Sequence, residues 1–196
     1  MELLKFVIGI CLIIGVIGAG MWFYETFKGE MQNFNIGDYN SGSKNLDVRN
    51  VSNDVIQFYD DMRFNHNRIS YFINSECEFE KQTRMKNAFS MIAKETNDLI
   101  SFYQGDEETA DVLIGCTPDS YEKEENIFIA GEGGPTRIIR SGMPVILRGK
   151  ILLYNETRSI CDEPLLEIHE LLHVFGYDHI NNESYVMYPY LNCNQK

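Results

Sequence analysis

Apolar residues along this chain recur first at helical and then at extended spacing. Val55, Phe58, Tyr59 and Met62 repeat at three and four residues, which predicts a short amphipathic helix over 54–64. Residues 69–73 form a strand-like run that ends at Asn74-Ser75. Met85, Ala88, Phe89, Met91 and Ile92 then place one apolar face on a helix over 80–96. Strand-like runs follow at 99–103 and 111–116, with shorter edge strands at 127–130 and 137–140. The run 151–154 is continuously apolar, as a strand buried on both faces would be. A helix over 163–175 closes the series. The order predicts an α/β (α+β) fold, with a mixed, mostly parallel sheet packed by two long helices.

The N-terminus breaks this alternation. Residues 6–24 carry no charge, and at ~1.5 Å per residue such a helix spans ~28 Å, close to a bilayer's hydrocarbon core. Trp22, Phe23 and Tyr24 stand at its far edge, where amphipathic rings favour the interface. The expected organisation is a transmembrane anchor over 1–28, a flexible polar stalk over 29–50, and one folded domain over 51–196. A cleaved signal peptide is the competing reading, with Gly18-Ala19-Gly20 as a cleavage site. Signal h-regions are usually shorter than this run.

Composition narrows the partners. The 196 residues carry a formal net charge of −12, almost all of it beyond residue 30, and no basic patch. A nucleic-acid partner is therefore not expected. Cys11 lies in the apolar run, which leaves Cys77, Cys116, Cys161 and Cys193. Four cysteines with no CxxC suit disulfides in an oxidising compartment, through any of three pairings. The domain is accordingly expected on the extracytoplasmic side, or secreted if the N-terminal segment is removed.

The chemistry is concentrated in His169-Glu170-Leu171-Leu172-His173-Val174-Phe175-Gly176-Tyr177-Asp178-His179. Histidines at i and i+4 share one helix face and can direct both imidazoles to one ion. Glu170, rotated by about 100° around the axis, falls beside a metal-bound water rather than on the metal. Gly176 can take φ > 0 and end the helix, so that His179 returns as a third ligand from another direction. Three protein ligands leave a position for water, the pattern of a catalytic zinc ion. At ordinary residue frequencies, chance supplies this pattern in roughly one such chain in a hundred thousand. His66, the fourth histidine, reads as a surface or turn residue.

The segment resembles the metzincin zinc endopeptidases, whose motif is HExxHxxGxxH with a methionine turn after the third His. Met187, in Val186-Met187-Tyr188-Pro189, has the spacing of that turn. Met187-Tyr188-Pro189 and Asp178 look most like the matrixin branch, although Ile180 stands where many matrixins have Ser. The resemblance implies a metzincin-like fold over roughly 60–192, with a mixed, mostly parallel five-stranded sheet, and one catalytic Zn2+ held by His169, His173 and His179. Glu170 would be general base toward zinc-bound water, and Met187 a hydrophobic floor. It also implies disulfides Cys77–Cys116 and Cys161–Cys193. A peptide or protein substrate would pair with the strand near 137–140. Some metzincins use a Tyr two residues after the Met, but that place is Pro189, so neither Tyr188 nor Tyr190 is assigned a role.

Calcium, common in matrixins, is not predicted: Asp119, Glu122, Glu124 and Glu125 read as a solvated charge run. No cysteine-switch propeptide is expected, and Gly115-Cys116-Thr117-Pro118-Asp119 resembles one only faintly. The resulting expectation is a membrane-anchored zinc endopeptidase. The alternatives are a catalytically silent, zinc-binding, membrane-tethered interaction module and another zinc hydrolase such as a deacetylase.

Overall fold

A computed structural model describes residues 30–33, 57–118, 121–124, 127–140, 142–154, 161–191 and 193. The apolar run 6–24 and most of the stretch read as a stalk lie outside the described residues. Among the described residues no helix is long and apolar enough to cross a membrane.

The elements in chain order are β1 (Glu30–Asn33), β2 (Arg63–Phe64), β3 (Arg68–Ile73), α1 (Phe79–Glu95), β4 (Ser101–Gln104), β5 (Val112–Thr117), β6 (Tyr121–Glu124), β7 (Ile127–Ile129), β8 (Gly131–Arg140), β9 (Val145–Tyr154) and α2 (Leu165–Val174). Among the described residues, seven strands form one sheet in the order β1-β8-β9-β5-β3-β4, with β2 beside β9. Strands β4, β3, β5 and β9 are mutually parallel along that path, and β8 runs antiparallel to β9. The mixed, mostly parallel sheet and two helices agree with the sequence expectation.

Three expectations are corrected. The sheet has seven strands rather than five, because β1 and the two-residue β2 are too short to show a period. Four residues of the presumed stalk thus form a strand, where a sheet edge offers unpaired N–H and C=O groups. The runs at 127–130 and 137–140 are not two separate edge strands of one sheet. The first joins β6 in a two-stranded hairpin, while the second is the end of the ten-residue β8. Finally, no helix forms across 57–64. Gln57 makes an isolated antiparallel bridge with Tyr177, Asp61 turns the chain at φ 58°, and β2 follows. Helical spacing there reflects burial alone, for Phe58 and Met62 are both inside.

The core lies between the sheet and the helices. Ile69, Val112, Ile114, Ile151 and Leu153 meet Met85, Ala88 and Phe89 of α1 and Leu171 and Val174 of α2. Phe89 stacks on Tyr71 and Phe102, with ring centroids 4.3 and 4.7 Å away. Phe175 then meets Phe102 and Phe64 edge-on. Such pairs add about 0.5–1.5 kcal/mol each beyond area burial.

Two cations on α1 fasten it to the end of β9 and to the start of α2. Lys81 Nζ donates to the Tyr154 carbonyl at 2.7 Å. Arg84 donates from Nε to Glu167 Oε1 at 3.0 Å and from its other nitrogens to the carbonyls of Cys161 and Glu163. Glu167 is fully buried, and loss of one partner of a buried pair costs about 3–5 kcal/mol. At the opposite end of the sheet, Asp111 Oδ2 accepts from Ser70 N and Oγ at 2.7 and 2.6 Å and lies 3.2 Å from His66 Nε2. His66 is therefore exposed but partnered.

At two glycines helix α2 comes directly against strand backbone. A Cβ at Gly133 would stand 2.8 Å from the Glu170 carbonyl carbon and 2.9 Å from its Cα. One at Gly149 would collide with Val174. Gly133→Ala should force the helix off β8 and cost at least the ~1–3 kcal/mol of ordinary overpacking. Urea unfolding measures this directly, and a loss below about 0.5 kcal/mol would contradict the seating.

Candidate metal centre

Helix α2 begins after Pro164 and presents His169 and His173 one turn apart. It ends at Gly176, whose φ of 92° lies in the left-handed region. Gly176 N donates to the His173 carbonyl at 2.9 Å and Tyr177 N to that of Leu172 at 3.1 Å. These are the two bonds of a Schellman ending, with glycine at the position that needs φ > 0. Asp178 Oδ1 then accepts from His179 N at 2.7 Å and fixes the turn that delivers the third histidine.

The three imidazoles converge through the same atom. Nε2 of His173 lies 3.1 Å from Nε2 of His169, and Nε2 of His179 lies 3.2 Å from each. His169 Nδ1 donates to the Val186 carbonyl at 2.6 Å and His173 Nδ1 to the Tyr177 carbonyl at 2.8 Å. A carbonyl can only accept, so those Nδ1 atoms carry the protons and the two Nε2 atoms face each other as lone pairs. Such lone pairs repel unless a cation lies between them. Tetrahedral zinc at ~2.0–2.1 Å from each nitrogen sets them about 3.3 Å apart. The donor set therefore fits zinc in element, spacing and tautomer. Among the described residues this is the one group of three or more His, Cys, Asp or Glu side chains arranged to hold a metal.

Burial prepares the site for a cation. It lowers the pKa of His169 to about 4, with His179 adding to the effect and the Val186 bond opposing it. It lowers that of His173 to about 3, helped by the other two imidazoles. Both are thus neutral at pH 7, the form that binds metal. Phe58 covers His173 with a parallel ring 5.9 Å away.

Glu170 is buried beside these ligands. Burial, with smaller repulsion from Glu132 and Glu167, pushes its pKa up to about 8. A bound dication would pull it down again.

The remaining predicted residues fall as follows. Met187 is buried, and its carbonyl accepts from Ile180 N at 2.9 Å. The methionine segment is thereby tied to the chain leaving His179, while Val186 next to it orients His169. Cys77 is bonded to Cys116 and Cys161 to Cys193, the pairing that the resemblance implied. Cys116 consequently offers no free thiol. Tyr188 and Tyr190 lie ring to ring at 5.6 Å. Asp119 and Glu125 lie outside the described residues, as do the side chains of Glu122 and Glu124. Sequence reasoning missed Phe58 as a cover for His173 and missed the Arg84–Glu167 pair.

No family model and no curated protein matches the chain. Among solved structures it is similar to high choriolytic enzyme 1 (HCE-1), a hatching enzyme zinc-protease from Oryzias latipes (Medaka fish). The identity is 20%, the match covers 57% of this chain and 44% of that chain, and the TM-score is 0.35. This chain thus spans less than half the length of that protease. At such distance the likeness decides nothing about activity, and the site's own geometry carries the functional reading.

Two outcomes are expected. Purified chain should hold one zinc per molecule by elemental analysis, and His173→Ala should hold far less than one. In the chelated chain, Glu170 has a higher pKa folded than unfolded, so the folded state holds the extra proton between about 4.5 and 8. Its contribution is therefore complete at low pH and lost as pH rises through 8. Urea midpoints in chelator should fall more steeply from pH 6 to pH 8 for the native chain than for Glu170→Gln. Equal slopes would contradict the buried, proton-holding carboxyl.

Proposed function

We propose that this chain is a membrane-anchored, zinc-dependent endopeptidase of matrixin-like type, with Glu170 as general base. The observation that carries this reading is the convergence of three Nε2 atoms, two with Nδ1 already committed to carbonyls, beside a buried carboxylate on the same helix.

His169, His173 and His179 would hold the ion, and three ligands rather than four favour a catalytic over a structural role. When bound, zinc supplies Lewis-acid activation of water and of the scissile carbonyl. The carbonyls of Val186 and Tyr177 fix the rings of His169 and His173 and raise their basicity as ligands. Glu170 takes a proton from the attacking water at a carboxylate oxygen and returns it to the departing amine nitrogen.

An extended polypeptide suits the ten-residue β8, which among the described residues has only the four residues of β1 on its outer side. Strand addition beyond β1 uses main-chain hydrogen bonds and needs no chain terminus, which favours endopeptidase action. The uncharged run 6–24 supports a membrane anchor, and two disulfides support an extracytoplasmic domain. Met187-Tyr188-Pro189 and Asp178 support the matrixin-like assignment.

The full chain, purified in mild detergent, should cleave reduced and alkylated casein. Glu170→Ala should keep its zinc and lose at least about a hundredfold in rate. Equal cleavage by both would mean a contaminating protease. Zinc-loaded native chain that cuts nothing would favour the silent binding module.

A further inference from the structure

Glu170 meets β8 at two glycines, and the two meetings differ in kind. At Gly133 the neighbour is the Glu170 backbone, as described for the fold. At Gly131, two residues earlier and so on the same face of the strand, the neighbour is the Glu170 side chain. A Cβ built on Gly131 would stand 3.1 Å from Glu170 Cγ, 3.1 Å from Oε1 and 3.3 Å from Cδ. Neither glycine is among those with positive φ, so what the strand needs at these places is the missing side chain and not a special conformation.

We propose that Gly131 is a positioning residue for the general base: its bare Cα is the floor against which the Glu170 carboxylate is set. The proposal rests on the peptidase reading, which it deepens.

The physics separates this role from a structural one. At 3.1–3.3 Å a methyl group is slightly too close, so the carboxylate must give by a few tenths of an ångström. A side chain can make that shift at low cost, whereas a helix backbone cannot. Substitution at Gly131 should therefore leave the fold nearly intact and move the one group that must meet water and leaving amine at hydrogen-bond distance. Displacements of 1 Å in such geometry cost about a hundredfold in rate, and smaller ones proportionately less. Glu170 has little room to escape, for it is only 4% exposed. Gly133→Ala collides with backbone and should damage folding instead, which makes it the structural counterpart two residues away.

The test is a double-mutant cycle in the full chain: native, Gly131→Ala, Glu170→Ala, and both together. Zinc content and far-UV dichroism of Gly131→Ala should match the native chain. With a fluorogenic casein, its kcat should fall about tenfold while KM changes less than about twofold. Independently of activity, Gly131→Ala should lower Tm when Glu170 is present and leave it unchanged in the Glu170→Ala background, where the crowded atoms are gone.

Native kcat in Gly131→Ala, or an equal Tm decrease in both backgrounds, would overturn the proposal. If the native chain cuts no substrate, the peptidase reading falls by itself. The Tm cycle then still decides whether Gly131 seats Glu170: coupling supports the contact, and its absence removes it.

Discussion

Helix α2 approaches β8 closely enough that peptide backbone touches peptide backbone, and the site exists because of that approach. A helix held off by ordinary side chains would sit farther from the sheet, and its polar face would open to water. Here Gly133 and Gly149 remove the spacers, while Leu171 and Val174 fill the ground beneath the helix. Burial on the same helix is the largest cause both of the lowered pKa values of His169 and His173 and of the raised pKa of Glu170. Before an ion binds, packing thus does more than any one charged neighbour to keep the imidazoles in their metal-binding form.

A second layer of contacts makes the arrangement rigid. Each of two ligand rings is held by a carbonyl from a different segment, one just past the helix and one from the methionine segment. Arg84 gathers the entry to α2 by binding Glu167 and the carbonyls of Cys161, Asp162 and Glu163. Segments far apart in sequence therefore meet at one helix, and a disturbance in any of them reaches the ligands through a hydrogen bond rather than through loose packing.

Much of this was legible in the sequence. The helix–glycine–histidine spacing needs only helical geometry and a glycine at the turn, so His169, Glu170, His173, Gly176 and His179 could be named together. Strands β3, β5 and the end of β9 announced themselves as apolar runs. What escaped notice did so for physical reasons. Gly131-Glu132-Gly133-Gly134-Pro135 carries no strand signal, because glycine and proline usually punctuate chains. In the fold these glycines lie inside β8, where they admit a helix. Phe58 and Met62 keep helical spacing, yet they mark burial against His173 and Gly176 on a bent segment. Arg84 and Glu167 look like ordinary exposed helix charges, and their pairing is visible only in three dimensions.

The bond between Cys161 and Cys193 spans 32 residues, and His169, Glu170, His173, His179 and Met187 all lie within that span. An oxidised chain that has lost its sheet therefore still carries every candidate ligand on a single covalent ring. Closing that span on itself removes chain entropy from the unfolded state, about 3–4 kcal/mol for a loop of this size. The frame around the candidate ligands is therefore stabilised whether or not an ion is bound.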